Sequence, residues 1–154
     1  MSELVLIKPK IYLDTCCYNR PYDDQQQTRI HLEALAKLHI QQSLAEGDFE
    51  FVWSFILEFE NSMNPYPLRR ETIHKFSYRC IQYIDESSAD EITKMAEPII
   101  SSGVRAKDAL HVACAIYSSC DYFLTTDDRL LKYKTERIKI ISPVQFVSEM
   151  EGNL

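Results

Sequence analysis

The chain is poor in the residues that interrupt regular structure: its 154 residues include only three glycines and six prolines. No repeat or low-complexity tract is visible, and no stretch has the composition of a linker. Because the length is that of one domain, we expect residues 1–154 to form a single domain. The three glycines stand alone, so there is no Gly-rich phosphate loop, which argues against a Walker-type NTPase or a dinucleotide-binding fold.

Cys-x-x-Cys pairs and long apolar runs are also missing. The five cysteines are odd in number and lack zinc-ligand spacing, so we expect free thiols in a reducing cytosol. The longest uncharged run, residues 109–120, is well short of the roughly 20 residues that a membrane span requires. The apolar stretch at residues 4–7 is too short for the core of a signal peptide. We therefore expect a cytoplasmic protein with no membrane partner.

Positive charge is in deficit as well, since 17 Lys and Arg residues against 23 Asp and Glu residues give a net charge of -6. Sequence-independent attraction to phosphates needs an excess of basic residues, which argues against a histone-like or polybasic membrane-binding protein. Nucleic acid remains a candidate substrate. If four of the acids are metal ligands, the rest of the chain carries a net charge of only -2.

Strand and helix patterns alternate along the chain. Four strands are predicted from short, apolar, β-prone segments at residues 11–13, 49–53, 122–125 and 138–141. Helical spacing and capping residues predict helices at residues 25–46, after Ser54, and at residues 68–84, 89–100, 106–117, 129–133 and 143–150. Strands that alternate with helices pair in parallel through crossover connections. The sequence therefore predicts an α/β fold, a three-layer α/β/α sandwich around a short central parallel sheet.

Acidic residues follow three of the predicted strands, at the edge where open α/β sheets bind ligands. Asp14 ends the first strand, and Glu58 lies one turn after Ser54 in the helix that follows the second. Asp127 comes two residues beyond Thr125, at the end of the third strand. Parallel strands place these three carboxylates at one edge of the sheet.

A fourth acid, Asp108, lies in the first turn of the predicted helix at residues 106–117, where the helix dipole favours a carboxylate. Converging carboxylates repel one another, and a protein tolerates them mainly when a cation lies between them. Ligation by oxygen alone suits Mg²⁺ or Mn²⁺. Such a site suits phosphodiester hydrolysis, because the metal polarises the phosphoryl oxygen and lowers the pKa of a bound water.

Each of these acids also has an ordinary structural interpretation. An Asp after a strand, as at Asp14 and Asp127, is often a turn former or a helix N-cap. Asp108 fits an acid that stabilises the helix dipole, and Glu58, beside Glu60, fits a solvated helix surface. Four such coincidences at one sheet edge are much less common than one, which favours the metal-site interpretation.

Four segments of the chain carry a resemblance to a known family: Ile11-Tyr12-Leu13-Asp14-Thr15, Ser54-Phe55-Ile56-Leu57-Glu58, Lys107-Asp108-Ala109-Leu110-His111-Val112-Ala113-Cys114-Ala115 and Phe123-Leu124-Thr125-Thr126-Asp127. In order and spacing they resemble the motifs of PIN-domain proteins, the fold of VapC-like toxin ribonucleases, from about residue 10 to about residue 142. The resemblance implies a Mg²⁺- or Mn²⁺-dependent endoribonuclease that acts on RNA. It also implies frequent homodimerisation and, in many members, an antitoxin encoded alongside. The metal-binding acids that it implies are Asp14, Glu58, Asp108 and Asp127, with Thr15 and Thr125 as neighbouring hydroxyls.

The chain departs from the family pattern at two places. Cys16, followed by Cys17, stands where many members carry a small polar residue, and the simpler interpretation is a packed small side chain. Asp128 beside Asp127 leaves the last ligand ambiguous by one position, although the Thr-x-Asp spacing favours Asp127. The loop at residues 19–24 also indicates a subgroup that need not be a toxin.

Substrate contacts are less clearly marked. Arg20, in the loop after the first strand, is the best single candidate for a substrate-phosphate contact. His111, three residues after Asp108, fits either a hydrogen bond to that acid or a structural histidine. Basic residues also cluster at residues 69–79 and 129–139, where they either hold an RNA backbone or form a solvated face.

Three functions compete on this sequence. The first is a metal-dependent ribonuclease, and the second is a PIN-like module that binds RNA or a protein without cutting, since a complete acid set does not guarantee activity. The third is a receiver-type signalling domain, which also gathers acids around Mg²⁺ at strand ends. Glu58 in a helix fits that third class poorly.

Overall fold

Residues 8–152 are described by a computed structural model, in which five short strands pair in parallel. The strands are β1 (Lys10–Leu13), β2 (Glu50–Ser54), β3 (Gln82–Ile84), β4 (Tyr122–Leu124) and β5 (Lys139–Ile141), in the spatial order β3-β2-β1-β4-β5. Helices flank the sheet on both faces. This confirms the predicted α/β class and the three-layer sandwich around a short parallel sheet.

The helices follow the strands in chain order. They are α1 (Thr15–Asn19), α2 (Thr28–Ala45), α3 (Phe55–Ser62), α4 (Pro67–Ser77), α5 (Ala89–Ser101), α6 (Ala106–Tyr117), α7 (Asp128–Leu131) and α8 (Pro143–Gly152). Two helices stop at the glycines that the sequence indicates, since Gly47 after α2 and Gly103 after α5 have φ values of 83° and 108°. Within residues 8–152, none of these helices combines the length and the apolar character needed to cross a membrane.

The centre of the sheet sets the position of the candidate site. Ile11, Tyr12 and Leu13 of β1 are fully buried, because β1 is covered by helices on both faces and paired on both edges. Leu13 pairs with Leu124 at the end of β4. The residues that follow these two strands therefore emerge side by side at the carboxyl edge of the sheet.

The prediction of one helix over residues 68–84 is wrong at its second half. Helix α4 ends at Ser77, and β3 follows it and pairs with β2 at the edge of the sheet. Three residues are too few to show the alternation of a strand, and only Ile84 of β3 is buried. No glycine or proline separates α4 from β3, so the sequence carries no signal for the break.

The orientation of α2 also differs from its apolar pattern. Leu35 and Leu38, which the helical spacing places on the core face, are 51% and 48% exposed. The helix instead buries Glu33 and Lys37. Glu33 faces inward because Arg20, in the 3₁₀ turn before α2, pairs with it at 3.0 Å, and Lys37 lies against the rings of Tyr18 and Phe76.

Candidate functional site

A pocket of about 500 Å³ opens at the carboxyl edge of the sheet, and we call it the acidic pocket. Four carboxylates line it, and each comes from a different part of the fold. They are Asp14 after β1, Glu60 of α3, Asp108 of α6 and Asp127 after β4. The pocket therefore gathers three of the four predicted acids and one that was not predicted.

Asp14 is held firmly by the residues around it. It is the N-cap of α1, with Oδ1 accepting a hydrogen bond from the Thr15 amide at 2.8 Å, and Oδ2 accepts one from Thr125 Oγ1 at 2.9 Å. Cys16 Sγ approaches the same Oδ2 at 3.5 Å. Burial raises the pKa of Asp14, and the charge of Asp108 acts in the same direction, although His111 and Thr125 oppose it. Thus Asp14 is both the N-cap and a wall of the pocket, so the two interpretations of this residue are not exclusive.

Glu60 is fixed by three partners on its side of the pocket. It accepts a hydrogen bond from Thr15 Oγ1, lies 2.9 Å from His111 Nε2 and has Lys107 Nζ at 3.3 Å. Its side chain is 7% exposed. Burial alone would raise its pKa, but the hydrogen bond and charge of His111, with Thr15 and Lys107, lower the pKa of Glu60 to about 2. Glu60 is therefore an ionised carboxylate at neutral pH.

His111 connects Glu60 to the centre of the sheet. Its Nδ1 lies 2.7 Å from the hydroxyl of Tyr12, which lies 2.7 Å from Ser54 Oγ. Ser54 Oγ accepts a hydrogen bond from the Leu57 amide and so caps α3, as the sequence predicts. Burial opposes protonation of His111, but Glu60 and Asp14 raise its pKa above the usual value. In the protonated form both ring nitrogens donate, and the chain of hydrogen bonds from Glu60 to Ser54 is fully satisfied.

Arg105 occupies the other side of the acidic pocket. Its guanidinium pairs with Asp108 Oδ2 at 3.1 Å and with Asp127 Oδ2 at 2.9 Å. Asp127 also caps α7, where its side chain accepts a hydrogen bond from the Arg129 amide at 2.8 Å. The two acids on this side thus share one arginine, which offsets one of their two negative charges.

The prediction that Glu58 joins the other acids is wrong. Glu58 accepts a hydrogen bond from Trp53 Nε1 at 3.1 Å and lies 3.1 Å from His74 Nδ1, and it does not line the acidic pocket. Residues two positions apart on a helix point about 200° apart, so Glu58 and Glu60 face opposite sides of α3. The buried face of α3 carries Ile56, and Glu60 lies four residues later on that same face. That spacing was the signal in the sequence for Glu60.

Arg20 also lies outside the acidic pocket. It pairs with Asp23 and with the buried Glu33, at 3.0 Å in each case, and so anchors α2. The predicted substrate contact at Arg20 is therefore not placed beside the acids. Arg105 and Lys107, which the sequence did not single out, are the exposed cations at this pocket.

The ambiguity between Asp127 and Asp128 is resolved by their partners. Asp127 lines the acidic pocket, whereas Asp128 forms a bidentate pair with Arg29 at 2.8 and 3.0 Å. Thr125 supports this arrangement, because its Oγ1 accepts a hydrogen bond from the Asp127 amide while it donates to Asp14. The Thr-x-Asp spacing therefore points to the acid that lines the pocket.

The donors of the acidic pocket fit a divalent metal ion in kind, because all four are carboxylates. Glu60 Oε2 is buried and makes no hydrogen bond within residues 8–152, although Lys107 Nζ lies 3.3 Å from it. In the described chain, no three His, Cys, Asp or Glu side chains are arranged to hold one ion. Arg105 pairs with both Asp108 and Asp127 on one side of the pocket. A metal ion bound here therefore has to compete with Arg105.

No protein-family model matches the chain, and no curated protein matches it significantly. The resemblance to PIN-domain proteins therefore stays a prediction from the sequence. What the structure defines is an α/β sandwich with a four-carboxylate pocket at the carboxyl edge of its parallel sheet.

Proposed function

We propose that the chain is a Mg²⁺- or Mn²⁺-dependent endoribonuclease of the PIN type. The observation that carries the proposal is the convergence of Asp14, Glu60, Asp108 and Asp127, from four elements, on one pocket at the carboxyl edge of the sheet. A divalent ion bound there supplies Lewis-acid polarisation of the phosphoryl oxygen and a water of lowered pKa. RNA as the substrate is supported by the sequence resemblance alone.

Two of the four acids are held in place before any ligand arrives. Asp14 is fixed by Thr125 and the Thr15 amide, and Glu60 by His111 and Thr15. Orienting the carboxylates in advance removes the cost of ordering them during the reaction. The Tyr12 hydroxyl extends this support into the buried sheet.

The mouth of the pocket has the chemistry of a single-stranded nucleic-acid site. Arg105 and Lys107 are exposed cations in the lining, within reach of a phosphate, and Phe59 and Met63 are exposed apolar side chains of the same lining. Such a mixture of backbone cations and apolar faces for bases is typical of proteins that bind single strands. We assign the substrate contact to Arg105 and Lys107 in place of Arg20.

One observation favours the second candidate, a PIN-like module that binds RNA or a protein without cutting. The acids already have cationic partners within the chain, since Arg105 pairs with Asp108 and Asp127 and Lys107 lies beside Glu60. If these pairs persist at cellular metal concentrations, the pocket binds phosphates but does not hydrolyse them.

The decisive experiment incubates structured and single-stranded RNAs with the purified protein in Mg²⁺, Mn²⁺ or EDTA. We expect metal-dependent cleavage, and a loss on the order of 100-fold or more in Asp14→Asn and Glu60→Gln. Glu58→Gln is the matched control, because Glu58 lies on the same helix but outside the pocket. Cleavage that persists in EDTA, or in both pocket variants, contradicts the metal site. RNA binding without cleavage supports the second candidate.

The toxin role, the antitoxin and the homodimer remain proposals that rest on the resemblance. A toxin is expected to arrest growth when it is expressed in cells, and a protein encoded next to it is expected to relieve the arrest. Asp14→Asn is the control for this assay, since it removes a pocket carboxylate. Growth that is unaffected by active enzyme contradicts the toxin role without affecting the nuclease proposal.

A further inference from the structure

A second pocket, of about 250 Å³, lies between α1, the 3₁₀ turn at Arg20–Tyr22, α2 and α4. Within the described chain it shares none of its lining residues with the acidic pocket. Its walls are mostly apolar and include three aromatic rings, those of Tyr18, Tyr22 and Phe76. We call it the Lys37 pocket, after the one cationic side chain among the residues that line it.

Lys37 is unusually placed for a lysine. The residue is only 7% exposed, and its Nζ lies 5.5 Å from the centre of the Tyr18 ring and 5.3 Å from that of Phe76. Nζ donates one hydrogen bond, to Gln41 Oε1 at 2.7 Å. An ammonium group has three donors, so two of them are available to a ligand in the pocket.

Lys37 has no anionic partner in residues 8–152. Glu33, one turn earlier on α2, pairs instead with Arg20 and Arg29, at 3.0 and 3.2 Å. None of the carboxylates in the described part of the chain lines the pocket. The titratable groups that face Lys37 are the Cys17 thiol and the Tyr18 and Tyr22 phenols, while α4 contributes Thr72, Ile73 and Phe76. Burial lowers the pKa of Lys37 to about 8.

A second polar group in the same lining also lacks a partner. The hydroxyl of Tyr18 is buried and makes no hydrogen bond within the described chain. Buried polar groups in native proteins nearly always have a partner, and each exception needs an explanation. A pocket that contains both a buried ammonium without an anion and a buried hydroxyl without a partner is suited to a ligand with an acidic group.

We propose that the Lys37 pocket binds a compact organic anion, with a carboxylate or phosphate group paired to Lys37 and a flat apolar body against the aromatic walls. The volume admits a single ring-sized group, which stacks favourably on tyrosine and phenylalanine. Among the described residues of the lining, the Gln41 amide and the Tyr22 hydroxyl are further donors for the acidic group, whereas the Thr72 hydroxyl already donates to the Leu68 carbonyl. The site is independent of the nuclease proposal, because none of the four pocket acids takes part in it.

The competing interpretation is a lysine that belongs to the core and is satisfied by the two aromatic rings, since such contacts stabilise buried cations. That interpretation predicts no preference of the pocket for an acidic ligand over a neutral ligand of the same shape.

The experiment uses benzoate and phenyl phosphate as probes and benzamide as the neutral control, with binding to the full chain measured by calorimetry and thermal shift. We expect at least one anion to bind about 10-fold or more tightly than benzamide at pH 7, a difference that is expected of a charge-assisted hydrogen bond. Lys37→Met should abolish the preference, and Lys75→Met, at an exposed lysine of α4, should leave it intact. The tighter of the two anions identifies the acidic group.

A second measurement does not depend on the fold of any variant. In NMR spectra of wild-type protein labelled with ¹⁵N, titration with the tighter anion should shift the amide signals of Lys37, Tyr18 and Gln41 before those of other residues. The affinity of the protein for this anion should fall as the pH rises from 7 to 9.5, because Lys37 loses its charge. Equal affinity for anion and benzamide, retention of the preference in Lys37→Met, or shifts confined to other surfaces would each overturn the proposal.

Discussion

Replacing Lys37 by methionine should stabilise the protein at neutral pH. Methionine keeps the length and the apolar stem of the lysine side chain. It removes the ammonium of a residue that is only 7% exposed and has no anion beside it within residues 8–152. A buried charge without an anion costs free energy that a buried apolar side chain does not. The expected sign is therefore the opposite of that of most core substitutions.

The magnitude follows from the pKa of Lys37. Its lowering from 10.5 to about 8 corresponds to a penalty of about 3 kcal/mol for the charged form at pH 7. Interactions of the ammonium that methionine does not make offset part of this gain. The two aromatic rings lie 5.5 and 5.3 Å from Nζ, near the outer limit of about 6 Å for such contacts, and contribute about 0.5–1 kcal/mol each. The bond to Gln41 contributes about 1 kcal/mol net, because Gln41 is partly exposed and keeps water as a partner in the variant. We expect a net gain of about 1 kcal/mol, which raises the Tm by about 2–4 °C in a protein of this size.

The effect should depend on pH in a defined direction. The pKa of Lys37 is lower in the folded chain than in the unfolded chain, so between about pH 8 and 10.5 the unfolded chain holds a proton that the folded chain has released. The free energy of unfolding of the wild type therefore rises with pH across this window, relative to that of the variant. The advantage of Lys37→Met is complete below about pH 8 and disappears as the pH approaches 10.5.

Urea denaturation of the wild type and of Lys37→Met at pH 6.5, 8 and 9.5 measures the difference between their free energies of unfolding. The contributions of other titrating groups are common to both proteins and cancel in this difference. Lys75→Met serves as the control, because Lys75 is an exposed lysine paired with Glu71 and its replacement should show no such pH dependence. A loss of stability in Lys37→Met at pH 7, or a difference that is the same at pH 6.5 and 9.5, refutes the reasoning.

Two further predictions concern the acidic pocket. The Arg105→Met variant should bind Mn²⁺ several-fold more tightly than the wild type, as measured by calorimetry, because it lacks the cation that pairs with Asp108 and Asp127. Binding that is equal to or weaker than that of the wild type contradicts competition between Arg105 and the metal. Tyr12→Phe should lower the free energy of unfolding, measured by urea denaturation, by about 1–3 kcal/mol, because the buried Nδ1 of His111 loses its partner. An unchanged free energy of unfolding shows that the Tyr12 hydroxyl does not stabilise this hydrogen-bond network.

The sequence predicts the centre of the fold better than its edges, for a physical reason. Strand β1 and helix α6 are surrounded by other elements, so burial imposes a clear pattern on their residues. Strand β3 lies at the edge of the sheet, where two of its three residues are exposed and no pattern is required. The position of helix α2 along the chain follows from its sequence, but its buried face depends on the Arg20–Glu33 pair, which no local pattern reveals.

The same distinction applies to the acids. Asp14 follows β1 directly and Asp127 comes three residues after β4, so the strand ends set their positions, and both line the pocket. Glu58 and Glu60 are close in sequence, and only the rotation of α3 decides between them. The burial of Ile56 and Leu57 sets that rotation and brings Glu60 to the pocket. Arg105 was not predicted, because its role arises from its ion pair with Asp127, which is 22 residues away along the chain.

The acidic pocket also shows why a net charge of -6 is a poor guide to what this edge of the sheet attracts. Its four carboxylates face Arg105, Lys107 and, when protonated, His111, so the pocket as it stands is close to neutral. If a divalent ion binds to the acids, Arg105 is released from Asp108 and Asp127 and becomes available to a phosphate at the pocket mouth. One arginine would then oppose metal binding and favour substrate binding. The Arg105→Met variant should accordingly bind Mn²⁺ more tightly than the wild type but bind single-stranded RNA more weakly. The affinity for RNA is measured by fluorescence anisotropy in the presence of Mn²⁺. Weaker binding of both ligands would assign Arg105 a purely structural role.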